Sequence, residues 1–266
     1  KEINSPISHF GILVNAGTRD EDPDKMGIAH FVEHTIFKGT QKRSAHQVIR
    51  RMEDVGGDLN ASTSKEETYF HASFLSPDYP RAVELLADIF SHSTFPEQEL
   101  EKEKDVVIEE INYYKDTPAE LIVDDFETLV FQNHPMGRNI LGTRKDVKHF
   151  KREDILNFIR KNYAQNNLVL ASAGNISAKK LLQLCERYFA DVQLIDAPTP
   201  RTAFNNYHPQ HQRINKHSNQ SHIMMGNIAY AISREERTAF QLLTNILGGP
   251  GMNTRLNMAI RESKGL

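Results

Sequence analysis

The sequence contains one cysteine, Cys185, among its 266 residues, so no disulfide can form within the chain. Such a composition is typical of proteins that fold in a reducing compartment or without disulfides. Residues 181–184, which precede Cys185, are mostly apolar and have helical spacing. This setting favours a small packing residue over a reactive thiol.

The sequence also lacks any apolar run near the roughly 20 residues of a membrane span, and it lacks an excess of basic residues. The net charge of −3 provides no global attraction for nucleic acid or for an acidic membrane. Neither is therefore expected as a partner. No signal peptide is visible at the start of the sequence, which favours a bacterial-type cytoplasmic location, with the periplasm or an organelle as alternatives.

The composition that is present, 39% hydrophobic and 25% charged residues, is that of a globular protein. The length allows one large domain or two smaller ones. Pro198 and Pro200 lie in a stretch with few apolar residues, which predicts a linker over residues 193–202 between domains 1–192 and 203–266. Strands partly paired as hairpins and mixed with helices predict an α+β fold.

Periodicity and end signals define the expected elements. Capping-box patterns begin at Ser44, Thr94 and Thr117. Strands are predicted over residues 8–14, 59–63, 69–75, 168–173 and 223–228, with 168–173 buried. Helices are predicted over residues 26–37, 44–56, 79–90, 97–114, 118–131, 153–163, 178–189, 235–247 and 253–261.

The stretch from His30 to His34 has the pattern H-x-x-E-H on one of these helices. Residues four apart lie nearly above one another on a helix, so both imidazoles can reach one metal ion. Glu33 lies beside the pair, within reach of a metal-bound water. This is the inverzincin arrangement of zinc hydrolases, in which Glu33 is the general base and not a ligand.

A catalytic zinc usually takes three protein ligands, so a third is needed, and the helix after Pro96 provides several glutamates. Glu103 and Glu110 lie two turns apart on one face, so one can bind metal while the other orients a ligand. Spacing alone does not separate Glu109 from Glu110, and both lie in an apolar run where an unpaired charge is costly.

At this point the sequence resembles the M16 zinc metallopeptidase family, and the resemblance covers nearly the whole chain. The segments that carry it are 17–21, 27–34, 37–40, 56–64, 107–111, 247–256 and 261–266. In this family the third ligand lies about 76 residues after the second histidine, which is the position of Glu110. The resemblance implies that Glu103 supports the site without binding metal. It also implies that Asn60 and Ala61, on an edge strand, contact the substrate.

The family resemblance further implies an M16-type αβ roll with a mixed or mainly antiparallel sheet, followed by the beginning of a second αβ domain. The implied activity is hydrolysis of unstructured peptides or short protein segments at one Zn²⁺ per chain, held by His30, His34 and Glu110. Family members pair, so a homodimer or heterodimer is expected. The alternative is a non-catalytic M16-like subunit that binds peptides.

Two departures from the family pattern are expected. The family usually has a strand before the position of Ile3, which this sequence lacks, and the second domain stops early. Family members place an arginine and a tyrosine from later in the second domain over the substrate. The sequence is therefore expected to carry a metal ion and yet to be a weak enzyme on its own.

Overall fold

A computed structural model describes residues 3–190, 192, 200–216 and 220–265 of the chain. Within these residues one four-stranded sheet has the order β2-β3-β1-β4, and every neighbouring pair is antiparallel. Its strands are β1 (Ile7–Val14), β2 (Asp58–Thr63), β3 (Thr68–Leu75) and β4 (Leu168–Ala173). The strands occur with helices before, between and after them, which confirms the α+β fold.

The helices of the described residues match the predicted positions, with one addition. They are α1 (Ile28–Thr35), α2 (Ala45–Glu53), α3 (Tyr79–His92), α4 (Glu97–Asp116), α5 (Pro118–Val130), α6 (Arg144–His149), α7 (Arg152–Asn162), α8 (Ala178–Phe189) and α9 (Glu236–Gly248). The short helix α6 was not among the predictions. The last predicted helix is present as a π-helical segment, Asn257–Glu262.

The core lies on one face of the sheet because side chains alternate along each strand. Phe10, Ile12 and Val14 of β1 are fully buried on that face, as are Phe70 and Ala72 of β3. Helix α3 packs against both of these strands. The alternating pattern therefore fixes which face of the sheet the helices cover.

Helix α1 lies against β2, α4 and α7 at one end of this core. Ile28, Phe31 and Val32 are fully buried, so the apolar stripe of the helix fixes its rotation about its axis. His30 and His34 then face α4, which runs alongside. The packing of α1 on α4 therefore determines which side chains meet the two histidines.

Two glycines allow the start of α1 to approach the segment before α6 closely. Gly27 has φ +91°, and a Cβ there would lie 2.5 Å from the Leu141 carbonyl oxygen. Gly142 has φ +68°, and a Cβ there would overlap the Met26 carbonyl. Both positions combine a left-handed backbone with a backbone crossing, so any larger residue must displace the N-terminus of α1.

One of the three predicted capping boxes forms. Ser44 N donates to Gln47 Oε1 at 2.9 Å, and Gln47 N donates to Ser44 Oγ at 3.4 Å. The boxes predicted at Thr94 and Thr117 are wrong, because neither side chain caps its helix. Thr94 Oγ1 donates to the Gly39 carbonyl and Thr117 Oγ1 to the Tyr113 carbonyl, so competing backbone acceptors take both hydroxyls.

Two strand predictions also differ from the structure. β4 was predicted to be buried, but it is an edge strand with Val169 55% and Leu170 39% exposed. Residues 223–228 were predicted to be a strand, but they are irregular and form no ladder with any described residue. An apolar run specifies a strand only where a partner strand accepts its hydrogen bonds. Residues 193–199 of the predicted linker lie outside the described residues.

Removing the Phe70 ring should destabilise the protein far more than removing the ring of its neighbour Tyr69. Phe70 is 1% exposed and its neighbour Tyr69 is 41% exposed, on the opposite face. We expect Phe70→Ala to lower the free energy of unfolding by about 3–5 kcal/mol through the cavity it leaves. Tyr69→Ala is the matched control, and urea unfolding of both variants is the measurement. Equal losses would contradict the assignment of the buried face.

Candidate metal centre

The two histidines of α1 direct the same ring nitrogen to one point. His30 Nε2 and His34 Nε2 lie 3.2 Å apart, and the ring centroids are 4.5 Å apart. His30 is buried, with 6% of its surface exposed, and its Nδ1 has no hydrogen-bond partner among the described residues. The pair therefore presents two nitrogen donors side by side, as the helical spacing predicted.

Helix α4 adds a carboxylate to this pair. Glu110 Oε2 lies 3.4 Å from His34 Nε2 and 3.6 Å from His30 Nε2. Glu109 is exposed, and its Oε1 accepts a hydrogen bond at 3.4 Å from Asn112 on the same helix. Of the two glutamates that spacing left open, the structure brings Glu110 to the histidines.

The three donor atoms have the spacing that a tetrahedral metal ion requires. Ligand atoms about 2.0–2.1 Å from a zinc ion at tetrahedral angles are about 3.4 Å from one another. The three distances among His30, His34 and Glu110 are 3.2, 3.4 and 3.6 Å. These residues are also the one group of three or more potential ligands found in the described part of the chain. The donor set therefore fits a divalent ion with one coordination position left open.

A second carboxylate holds the outer nitrogen of His34. Glu103 Oε1 lies 3.0 Å from His34 Nδ1, and Glu103 Oε2 lies 2.6 Å from Lys38 Nζ. Burial alone raises the pKa of Glu103, but the hydrogen bonds from His34 and Lys38 outweigh it and bring this pKa below its usual range. An ionised Glu103 accepts the Nδ1 proton and so leaves Nε2 of His34 free to bind metal.

Without a metal ion, the two imidazoles have opposite tendencies to bind a proton. Burial lowers the pKa of His34, but the carboxylates of Glu103 and Glu110 outweigh burial and raise it to about 9. Burial and the neighbouring charge of His34 lower the pKa of His30, against the opposing effect of Glu110. In the metal-free protein, a proton on His34 therefore balances the negative charge of Glu103 and Glu110, which a bound cation would otherwise balance.

Glu33 lies on the side of α1 that faces the last residue of β2. Its burial raises the pKa of the carboxyl group, and the neighbouring Thr63 and His34 offset part of the rise. A carboxylate that ionises less readily than usual is also a stronger proton acceptor near neutral pH. Among the described residues, Glu33 is not part of the group whose potential ligand atoms lie within 4.8 Å of one another.

The predicted substrate residues lie in β2, at the edge of the sheet. In the described part of the chain β2 pairs with β3 alone, and its other side is open. Asn60 stands opposite His71 in the middle of the strand. Asn60 Oδ1 accepts a hydrogen bond from the Ala61 N–H at 2.8 Å.

Sequence reasoning gave no role to three residues around the centre. Lys38 neutralises Glu103, Thr63 lies beside Glu33, and Glu21 hydrogen-bonds the start of α1. The sequence did not signal the role of Glu21, because the helix was predicted to begin at residue 26 and only the structure shows Gly27 as an N-cap without a side chain. Lys38 lies in the bend that follows α1, and Thr63 is the last residue of β2, so the H-x-x-E-H spacing indicates neither of them.

Comparison with known proteins identifies the family. The sequence profile described as Insulinase (Peptidase family M16) matches residues 1–144. The chain belongs to peptidase family M16. A second M16 profile, described as Peptidase M16 inactive domain, matches residues 149–266.

Among curated relatives, this M16 chain is 36% identical over 259 residues to an uncharacterized zinc protease of Rickettsia bellii. That alignment covers 97% of this chain and 62% of the relative. The chain is 38% identical over 197 residues to mitochondrial-processing peptidase subunit beta of Saccharomyces cerevisiae, which covers 74% of this chain and 43% of the relative. The chain thus spans less than two thirds of the length of these relatives.

Among solved structures, the crystal structure of a protease from Helicobacter pylori superimposes on this M16 chain with a TM-score of 0.84. The identity is 22%, and the alignment covers 99% of this chain and 65% of the other. This similarity confirms the M16-type fold. None of the described helices is long and apolar enough to cross a lipid bilayer.

A matched pair of substitutions in α4 tests the third ligand. We expect Glu110→Ala to weaken zinc binding by more than about 100-fold, since loss of an outer-shell partner alone costs 10–100-fold. Glu109→Ala removes an exposed carboxylate from the adjacent position and should leave the affinity unchanged. Competition titration with a chromophoric chelator measures both. An equal loss in the two variants would contradict the assignment of Glu110.

Zinc binding should become weaker as the pH falls. The pKa of His34 is about 9 in the metal-free protein, so this group is protonated below pH 9 and must lose its proton to bind metal. His30, with its lowered pKa, contributes no such proton near neutrality. The apparent affinity should fall about tenfold per pH unit between pH 8 and 6, as one released proton requires. A pH-independent affinity would contradict this.

Proposed function

We propose that this M16 chain is the zinc-binding part of an inverzincin endopeptidase that hydrolyses unstructured peptides. The observation that carries the proposal is the convergence of His30, His34 and Glu110, with distances of 3.2–3.6 Å among their donor atoms. Glu33 lies on α1, directly before His34. Relatives that share the family are named zinc proteases, which supports the choice of metal.

The proposed ligand set is two neutral imidazoles and one carboxylate, the set found in catalytic zinc sites that keep a position for water. One zinc ion per chain, when bound, polarises the scissile carbonyl and favours deprotonation of the attacking water. Glu103 and Lys38 orient His34 from the outer side. His30 and Glu110 complete the set from α1 and α4.

Glu33 is the proposed general base. It accepts a proton from the attacking water as the oxygen bonds to the carbonyl carbon, and it delivers that proton to the leaving amine as the peptide bond breaks. Its burial supports this role, because a desolvated carboxylate holds a proton more strongly than an exposed one. Glu33 is not among the grouped donor atoms, so it stays available for proton transfer.

The open edge of β2 is the proposed peptide-binding strand. An extended peptide can add to such an edge through backbone hydrogen bonds, with little demand on its sequence. Asn60 and Ala61 are the proposed contact residues near the scissile bond. The Asn60 side chain must release the Ala61 N–H before this donor can serve a peptide. Unstructured segments are favoured because a folded substrate has no free backbone to pair.

Several broader expectations join this proposal. The domains are placed at residues 1–192 and 203–266, the intact protein is expected to form a homodimer or heterodimer, and its location is expected to be the bacterial cytoplasm. The subunit named in the mitochondrial relative supports the pairing. The rival function is a peptide-binding subunit without catalysis.

Glu33→Gln separates catalysis from metal binding. We expect the substitution to lower the rate of cleavage of an internally quenched, unstructured peptide by roughly 10²–10⁴-fold, the contribution of a positioned acid–base group. Zinc binding should persist, because Glu33 is not a ligand. His34→Ala should abolish both, and Glu109→Gln is the exposed control.

Cleavage by Glu33→Gln at the parental rate would contradict the role of Glu33 as base. Zinc binding that survives in His34→Ala would contradict the proposed centre. A parent chain that binds zinc and peptide but cleaves nothing, even when it is supplied as the full-length protein, would favour the non-catalytic subunit.

A further inference from the structure

Glu21 is a buried carboxylate at the start of the metal-binding helix. Its residue surface is 4% exposed. Glu21 Oε2 accepts the Gly27 N–H at 3.0 Å, and Glu21 Oε1 accepts the Ala29 N–H at 3.0 Å. Both carboxylate oxygens are thus committed to the backbone at the N-terminus of α1.

These two amides need an acceptor from outside the helix. The first N–H groups of a helix have no partner within it, and a side chain at the N-cap usually serves them. In α1 the N-cap is Gly27, which has no side chain. Glu21 supplies the missing acceptor from six residues upstream.

We propose that Glu21 is a positioning residue of the metal centre. The carboxylate holds the Ala29 amide, and the next residue along the helix is His30, whose Nε2 must stand 3.6 Å from Glu110 Oε2. Fixing the first turn of α1 therefore fixes His30 relative to α4. The role rests on the proposed function, since a metal centre that is never occupied needs no positioning.

The loop that carries Glu21 is itself held from two sides. Arg138 NH1 donates to the Glu21 carbonyl at 2.6 Å. The side chain of Asp20 is 1% exposed and accepts from Arg201 Nε at 2.9 Å and from Arg201 NH2 at 2.8 Å. Gly17 N also donates to Asp20 Oδ2 at 3.0 Å. Arg201, which lies near the end of the predicted linker, thereby ties its segment to the loop that carries Glu21.

A buried carboxylate is a costly way to cap a helix. Burial raises the pKa of Glu21 to about 8, and the two amide hydrogen bonds offset only part of this effect. A serine or aspartate at position 27 could serve only the Ala29 amide, and the close Leu141 carbonyl leaves no room for its side chain. Glu21 instead links the start of α1 to the loop that Asp20 and Arg201 hold. This link supports a role in positioning the helix and its histidines.

Zinc affinity measured together with zinc-free stability tests the proposal. We expect Glu21→Gln to weaken zinc binding by about 10–100-fold, the cost of losing an outer partner of a metal site. The exposed Glu53→Gln is the matched control and should bind like the parent. Thermal unfolding of the zinc-free proteins must show that each variant is folded at the assay temperature.

Hydrogen exchange supplies a second measurement that needs no metal. The amides of Gly27 and Ala29 should be protected in the parent and should exchange faster in Glu21→Gln. If Glu21→Gln does not fold, Glu21→Asp keeps the carboxyl group but is one methylene shorter, so it should show the same loss of affinity. Arg201→Ala should weaken zinc binding less than Glu21→Gln, with the exposed Arg213→Ala as its control.

The outcomes separate this proposal from the function on which it rests. Parental zinc affinity in folded Glu21→Gln, or in folded Glu21→Asp where the first variant does not fold, overturns the positioning role and leaves the proposed function intact. A lower unfolding temperature with unchanged zinc affinity means that Glu21 is structural only, and it also overturns the role. A parent chain that binds no zinc overturns the proposed function and the role of Glu21 with it.

Discussion

The packing of α1 against α4 is the contact on which the centre depends. It places two imidazole nitrogens and a carboxylate oxygen within 3.6 Å of one another, although no single helix holds all three. The buried face of α1 sets the rotation of His30 and His34, and the buried face of α4 sets that of Glu110. The packing of the hydrophobic core thus determines the relative positions of the three ligand side chains.

The charges around the centre are balanced in a way that depends on a cation. Glu103 and Glu110 flank His34, and Lys38 neutralises the outer side of Glu103. Without metal, the two carboxylates raise the pKa of His34, so its side chain is a protonated imidazolium between them. A divalent ion held by His30, His34 and Glu110 would supply that balancing charge in place of the proton. The same arrangement therefore explains why the two histidines differ in pKa although they are neighbours on one helix.

The sequence predicted most of the helices and the pairing of histidines on α1, because both follow from periods of 3.6 residues and from end signals. It left Glu109 and Glu110 unresolved by spacing, since only the packing of α4 on α1 separates them. It also misjudged β4 and residues 223–228, where an apolar run indicated burial or a strand. Burial and strand pairing depend on partners elsewhere in the chain, and local patterns do not encode those. The contact of Glu21 with α1 is likewise a loop-to-helix contact that periodicity does not reveal.

The measurement that tests the central claim most directly is an anomalous diffraction map at the zinc edge from crystals of the zinc-loaded chain. The account predicts one peak per chain, about 2.0–2.2 Å from His30 Nε2, His34 Nε2 and a Glu110 carboxylate oxygen. Glu33 should lie beside the ion without binding it. A peak at other residues, or full loading with no peak between α1 and α4, would contradict the account.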